Sequence, residues 1–556
     1  MQRVITAAGM REIDRLTAER FATPFLLLME AAAVASAKAI AARFPDGLLG
    51  KRVRVLCGRG NNGGDGASLA RALWLAGARV DVVLFGRAEE TKGDARTNFE
   101  IALRLSSFEA GSHTQPPPLT FIECEEINDW EEIASAHSYD IIVDALFGTG
   151  LTRPLEGVHL QVVKHIALLR RARERSRAHQ PLIVSLDIPS GLNADSATLI
   201  GETVQADLTV TFTAPKHGNV LPPASHFNGE LVIANIGSPP SLLESAETQL
   251  SLVEEEDARE WLVKTRYAPD SFKNTHGHAL IIAGSRDMTG AAVLCGKSAM
   301  RSGAGLVTIA TSATAQQSIS ARALPEIMTA SLSETAHGVI SFEAVEQVMK
   351  LVLRASVVAI GPGLSNEDES TRRFVREIVE RRTTPLVIDA DGLNALAPWP
   401  EGLRGSQELP IILTPHPGEM LRLMGTDDKQ ALADRVKAAR DFSTAHDLIL
   451  VLKGTRTLIA SPDGRVFINP TGNAGLGTAG AGDTLTGIIT GFIAQAFAML
   501  GDERDALSAT IAAVYVGGLA GDIAAEQRGM RTLVASDISE SLGAAICALD
   551  SQGERP

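Results

Sequence analysis

Apolar residues fall into short runs separated by helical stretches. The first 45 residues predict two helices, Ala8–Phe21 and Pro24–Arg43, with Pro24 at a first turn where it is tolerated. Runs of four to seven apolar, β-branched-rich residues then follow at Val53–Cys57, Arg79–Phe85, Ile141–Phe147, Leu182–Ile188 and Leu208–Phe212. Each is bounded by Gly, Pro or Asp, and helical patterns such as Ala67–Ala76 lie between them. Strands alternating with helices predict a mostly parallel sheet covered on both faces. The same alternation resumes at Ala279–Ala283, Leu306–Ala310, Val357–Ile360, Pro385–Ile388, Ile411–Leu413 and Leu448–Leu452. Between the series, residues 237–256 run from Gly-Ser-Pro-Pro into an acidic stretch and predict a linker. No period relates the halves, so two unrelated α/β domains are expected, over 1–236 and 257–550. The prolines at 111–118 and the Arg-rich residues 170–179 predict surface loops or helix ends.

Composition narrows the partners. The formal charge of −14 disfavours nucleic acid and anionic membrane, both of which need clustered positive charge. A 45% hydrophobic content excludes a disordered chain. The four cysteines are scattered and form no CxxC, so neither a disulfide framework nor structural zinc is expected. The N-terminus lacks the charged start and apolar core of a signal peptide, and no apolar run reaches the length expected to span a bilayer. A cytoplasmic protein is the expectation.

The chemistry lies after the strands. Gly58-Arg59-Gly60-Asn61-Asn62-Gly63-Gly64-Asp65-Gly66 follows a strand and opens a helix, where free amides and the helix dipole favour phosphate. A dinucleotide fingerprint would need an acid at the end of the second strand; Asp81 sits near its start instead. Asp144 and Asp187 each end a strand before a turn, in DALFGTGL and DIPSG. On one sheet edge, Asn62, Asp144 and Ser190 converge as oxygen donors, and a single carboxylate among neutral oxygens suits a monovalent cation. Asp187 is the best acid–base candidate, and Lys216, in Ala214-Pro215-Lys216, is suited to phosphate or to proton transfer. In the second half, Thr478-Ala479-Gly480-Ala481-Gly482-Asp483 leads into a helix starting near Asp483. Its amides would form an anion hole for a transferring phosphoryl group, with Asp483 as base. Lys453–Thr457 follows a strand and suits nucleotide phosphates; Asp389 and Asp391 offer charge for a metal–phosphate pair. No P-loop motif is present.

The GNNGGDG, DALFGTGL, DIPSG and Ala-Pro-Lys elements resemble the YjeF N-terminal domain, the NAD(P)H-hydrate epimerase family, over about residues 1–235. RSGAGLVT at 301–308, GPGL at 361–364, DADGLNAL at 389–396, TPHPGE at 414–419 and TAGAGDTLTG at 478–487 resemble the YjeF C-terminal domain, the nucleotide-dependent NAD(P)H-hydrate dehydratases. The resemblance implies a Rossmann-like three-layer α/β/α sandwich followed by a ribokinase-like α/β domain. It implies epimerisation of the R and S hydrates NADHX and NADPHX, and dehydration of the S form with ADP and Mg2+, releasing AMP and phosphate. It maps a K+ site to Asn62, Asp144 and Ser190, and hydrate contacts of the epimerase to Asn61, Asn62, Gly63, Gly64, Asp65, Gly148, Thr149, Gly150, Leu151, Thr152, Arg153, Pro154 and Asp187. In the dehydratase it maps hydrate contacts to Ala291, Gly363, His416 and Asp483. Nucleotide contacts map to Lys453, Gly454, Thr455, Arg456, Thr457 and Gly482. Asp483, Asp187 and Lys216 would be catalytic, and a homo-oligomer is expected. Two departures stand out: Glu30 is followed by three alanines where the family has an Ala-Gly pair, and Ser365 stands where it has Gly. The rival reading is a ribokinase-type small-molecule kinase fused to a non-catalytic nucleotide-binding module.

Overall fold

The computed structural model describes residues 1–107, 119–135, 138–175 and 181–551. The proline run at 111–118 and residues 176–179 of the Arg-rich segment lie outside them; residues 170–175 end a helix, Gly157–Arg175. The chain divides into two compact units between Thr248 and Gln249. That division falls inside the expected linker. The segment is itself partly ordered, with a helix at Pro240–Glu244.

The first unit is a parallel sheet. Its strands are β1 (Arg52–Cys57), β2 (Arg79–Phe85), β3 (Leu119–Cys124), β4 (Ile141–Ala145), β5 (Leu182–Leu186), β6 (Leu208–Phe212) and β7 (Glu230–Ala234). They lie in the order β3-β2-β1-β4-β5-β6-β7, and every neighbouring pair is parallel. This is the doubly wound order, which reverses direction between β1 and β4 and leaves a crevice beyond their carboxyl ends. Side chains alternate across the sheet. On β1, Val53, Val55 and Cys57 pack against Leu28, Leu69, Leu73 and Phe99 from helices Phe25–Ala41, Asn61–Leu75 and Gly93–Ser106. Leu56 points the other way, to Trp130, Val162 and Ile166 of Ile127–Ser135 and Gly157–Arg175. Three layers result.

The second unit holds β8 (Leu250–Leu252), β9 (His278–Ile282), β10 (Leu306–Ser312), β11 (Met328–Leu332), β12 (Val357–Ile360), β13 (Leu386–Ile388), β14 (Ile411–Leu413), β15 (Ile449–Leu452), β16 (Leu458–Ala460) and β17 (Val466–Ile468). Their order is β8-β17-β16-β15-β14-β13-β12-β9-β10-β11, with antiparallel pairing only where β16 meets β15 and β17. Ala279, Ile281, Val307 and Ile309 face helices Thr289–Arg301, Ala481–Met499, Ala506–Arg528 and Ala535–Ser551. Close glycines join two of these helices. A β-carbon on Gly487 would overlap the Cys295 carbonyl, and one on Gly491 would lie 2.8 Å from the Ala299 carbonyl. By length and apolarity Ala506–Arg528 is enough to cross a membrane, contrary to the sequence expectation. Its most apolar window is 72% buried within the protein, however, as befits a core helix.

Candidate active sites

In the first unit the glycine-rich segment is mostly helix. The helical pattern read from Ala67 in the sequence starts six residues earlier, at Asn61, with Gly60 as its N-cap. Without a β-carbon Gly58 and Gly63 interlock, since side chains there would overlap the carbonyls of Leu146 and Gly58. Gly64 and Gly66 likewise lie against Ala95 and Ala145. These glycines set packing, whereas Gly60 faces open space. Glu30 accepts from Ser68 Oγ at 2.8 Å and pairs with Arg71, while Ala32 and Ala33 are buried. The departure from the family at this point is thus absorbed by packing. Asp81 accepts from the Tyr139 hydroxyl at 2.6 Å, near the start of β2 and away from the glycine turn. It cannot hold a ribose beside that turn.

A cavity of about 890 Å3 opens at the crevice. Asn61, Asn62 and Asp65 line it from the helix, and Gly148, Thr149, Gly150, Leu151, Arg153 and Pro154 from the turn after β4. Asp187 and Lys216 line it from the turns after β5 and β6. Gly63, Gly64 and Thr152 do not line it; the first two are packed behind it. Sequence reasoning missed Asp14, which reaches the cavity from Ala7–Phe21. Only helical periodicity was legible there, and nothing local marks that aspartate as facing a site.

Asp187 has φ +63, a strained value for a non-glycine residue, of the kind that gathers at functional turns. Its carboxylate pairs with Lys216 and accepts from Thr211 Oγ1 at 3.2 Å. Lys216 is 1% exposed, and its ammonium also donates to Thr211 Oγ1 at 2.9 Å and the Phe212 carbonyl at 3.1 Å. The burial of Asp65, with Asp187 and Asp14 nearby, pushes its carboxyl well up.

Behind the cavity, Asp144 is fully buried. It accepts from Ser190 Oγ at 2.6 Å, Ser190 N at 2.8 Å and Ser185 Oγ at 2.8 Å. Burial still pushes it above the usual carboxylate range, because these donors are neutral and only partly offset the loss of water. Beside the Gly148 backbone, both amide atoms of Asn62 are buried without a partner. An uncompensated carboxylate and an orphaned amide fit a cation with neutral oxygen ligands.

In the second unit the site sits beyond β12, β13, β14 and β15. Asp389, at the end of β13, is 1% exposed and accepts from Lys453 Nζ at 2.8 Å and Thr486 Oγ1 at 2.6 Å. Burial would raise this carboxyl, but the ammonium and hydroxyl outweigh it and hold it below its ordinary value. Asp391 accepts from Ser365 N at 2.9 Å. Asp389 is thus paired with an ammonium within the protein, whereas Asp391 meets a backbone amide. Lys453 turns inward to Asp389 and Glu419, its nitrogen 3.3 Å from where a Gly482 β-carbon would stand. Against the cost of burial, the two carboxylates raise its pKa.

The helix begins at Ala481, two residues before the predicted start; the Ala481 amide donates to the Thr478 carbonyl at 3.4 Å, which leaves Gly482 and Asp483 for its open first turn. Gly480, at φ +86, makes the turn into it. Burial, with Asp389 adding to it and Lys453 opposing, raises the Asp483 carboxyl to about 6. Gly363 lies against Ala291, its absent β-carbon 3.0 Å from the Ala291 methyl. His416 caps Pro417–Leu423, its Nδ1 accepting from Gly418 N at 3.0 Å and Glu419 N at 3.2 Å, so the proton sits on the exposed Nε2. In the turn after β15, Gly454 packs on Arg435, Thr455 O accepts from Arg435 at 3.1 Å, and Thr457 donates to Gly454 O at 3.1 Å. Arg456 donates to the Pro470 carbonyl at 2.9 Å.

Family models match both halves: YjeF-related protein N-terminus over residues 26–218, and NAD(P)H-hydrate dehydratase over 279–543. The chain is 38% identical over 551 residues to the bifunctional NAD(P)H-hydrate repair enzyme Nnr of Moorella thermoacetica, covering 99% of this chain and 98% of the relative. It is 32% identical over 539 residues to the Escherichia coli K12 enzyme of the same name, covering 96% and 92%. A crystal structure of ADP/ATP-dependent NAD(P)H-hydrate dehydratase from Bacillus subtilis, co-crystallized with ATP/Mg2+, matches 54% of this chain and 98% of its own, at 32% identity and TM-score 0.45. With near-complete coverage of both partners across two α/β units, the chain belongs to the bifunctional NAD(P)H-hydrate repair enzymes.

Proposed function

We infer that this chain restores hydrated NADH and NADPH, the first unit interconverting the R and S hydrates and the second dehydrating the S form. The observation that carries the dehydratase half is Asp483, a half-buried carboxylate in the first turn of a helix that opens at Gly482 and Asp483. Nucleotide phosphates would lie over the Gly482 amide and the turn Gly454–Thr457. The hydrate would enter between Ala291, Gly363 and His416. Asp483 would take the proton of the hydrate hydroxyl as its oxygen attacks the terminal phosphorus of ADP, while the amides of Gly482 and Asp483 hold the transferring charge. AMP leaves. Phosphate is a far better leaving group than hydroxide, so the C–O bond then breaks with loss of the neighbouring C–H proton, and the ring double bond returns. Mg2+ arrives with the nucleotide, since Asp389 is already neutralised by Lys453. The rival kinase reading leaves the first unit without a role.

In the epimerase half, Asp187 with Lys216 handles protons, and Asn62, Asp144 and Ser190 hold K+. The ion would balance the buried charge of Asp144 and fix the turn after β4. A mixture of R and S hydrates with ADP, Mg2+ and K+ tests the whole reading. Absorbance of the reduced nicotinamide should return for all the hydrate. Recovery of the S fraction alone would remove the epimerase, and a stable phosphorylated product would restore the kinase.

A further inference from the structure

Hydration of an enamine places the hydroxyl on the ring carbon next to nitrogen. Epimerising that carbon requires its C–O bond to break and reform. When the oxygen is protonated, water departs and the nitrogen lone pair closes a C=N bond. Water then adds to the opposite face, the C=N pair returns to nitrogen, and one proton is released. One proton is delivered and one is taken, with no change of oxidation state. Two groups are therefore needed, an acid and a base.

Asp187 suits the base. Lys216, Thr211 and Phe212 N all donate to its carboxylate, so its oxygens are fixed in the cavity facing the substrate's side. The acid must come from elsewhere in the same cavity. Asp14 lines that cavity from a separate element, the helix Ala7–Phe21. That helix is anchored by Ala7 N, which donates to Asp195 at 2.6 Å, and by buried Met10, Ile13 and Thr17. Asp14 Oδ1 is buried with no hydrogen-bond partner. Burial raises the Asp14 carboxyl to about 6, Lys216 opposing and Asp187 adding to the rise. Such a carboxyl carries a transferable proton near neutrality. Burial also pushes the Asp65 carboxyl up, but Asp65 belongs to the glycine-rich helix start that packs the turn and has no comparable orphaned oxygen among the described residues.

We propose that Asp14 is the general acid of the epimerase, donating to the departing hydroxyl while Asp187 takes the proton of the water adding on the opposite face. For the reverse epimer the two exchange roles. The proposal rests on the epimerase reading above.

The test uses the full chain, R-enriched NADH hydrate and K+, without nucleotide. S-hydrate formation is followed by chromatography, with the uncatalysed rate subtracted. Asp14→Asn should lower kcat by roughly 100-fold or more and leave KM within about threefold. Asp14→Glu should recover roughly a tenth of the wild-type kcat. Adding ADP and Mg2+ with S-hydrate should give the wild-type dehydration rate in both variants. A kcat for Asp14→Asn within about threefold of wild type, a rise in KM alone, or Asp14→Glu no more active than Asp14→Asn would overturn the proposal. Wild-type enzyme that leaves the R form untouched would be a different result, removing the epimerase reading itself.

Discussion

Asp483→Asn should make the dehydratase unit more stable while disabling it. The Asp483 carboxyl titrates at about 6 rather than at its ordinary 3.8, because burial and the charge of Asp389 outweigh Lys453. An acid raised in the folded state keeps its proton over a pH range where the unfolded chain has lost it. Its ionisation therefore costs nothing below about 3.8, costs progressively more as pH rises, and reaches its full cost above about 6. At about 1.36 kcal/mol per pH unit that cost is about 3 kcal/mol, and roughly 2 after allowance for the solvent that still reaches the carboxylate. Asparagine keeps the shape and cannot ionise. At pH 7.5 the variant should gain about 2 kcal/mol, a rise of roughly 4 °C in the melting temperature of this unit. At pH 4.5 the gain should fall below about 1 kcal/mol. Calorimetry at the two pH values measures both. The same variant should dehydrate S-hydrate at least roughly 100-fold more slowly, as expected on losing a general base. A variant no more stable than wild type at pH 7.5, or a gain independent of pH, would refute the reasoning. Near-normal turnover would refute the assignment of the base.

Replacing K+ with a large organic cation should slow epimerisation and leave dehydration unchanged, as would show when R- and S-hydrates are assayed separately. Asp144→Asn should abolish the K+ effect and cost the first unit about 2–3 kcal/mol in denaturant unfolding, since its new amide donors would face the Ser190 and Ser185 donors. Gly63→Ala should remove epimerase activity and shift the unfolding of the first unit by more than about 3 kcal/mol, because the methyl group would overlap the Gly58 carbonyl. Ser365→Gly should stabilise the second unit by roughly 0.5–1 kcal/mol, because Ser365 holds φ +64.

Element type was legible wherever burial on both sheet faces left an unbroken apolar run. Leu208–Phe212, Val357–Ile360 and Ile411–Leu413 form strands over the predicted residues. Strands at the sheet margins escaped notice. Leu119–Cys124 and Met328–Leu332 carry polar residues on their exposed sides, and β16 and β17 are three residues each. Glycine misled the reading at Asn61–Gly66, where low helix propensity was overridden by the need to bring backbone against backbone. Ser365 takes a left-handed conformation that glycine would adopt without strain. The motifs brought the right turns to the two sheet edges. What they could not convey was which side chains are already paired. Lys453, Arg456, Asp389 and Asp391 look available in a linear sequence and are bound to neighbours in space. Asp14 reads as one polar position on an amphipathic helix, and its meaning comes only from the cavity it enters.

The contact of Gly487 with the Cys295 carbonyl has a mechanical consequence. Helix Ala481–Met499 presents the turn proposed to hold the phosphoryl group, and helix Thr289–Arg301 begins beside Ala291, where the hydrate would rest. The two touch backbone to backbone, with no compliant side chain between them at this point. They therefore act as the jaws of a caliper set at a fixed gauge. The distance from anion hole to acceptor is established when the chain folds, and substrate binding need not draw the jaws together.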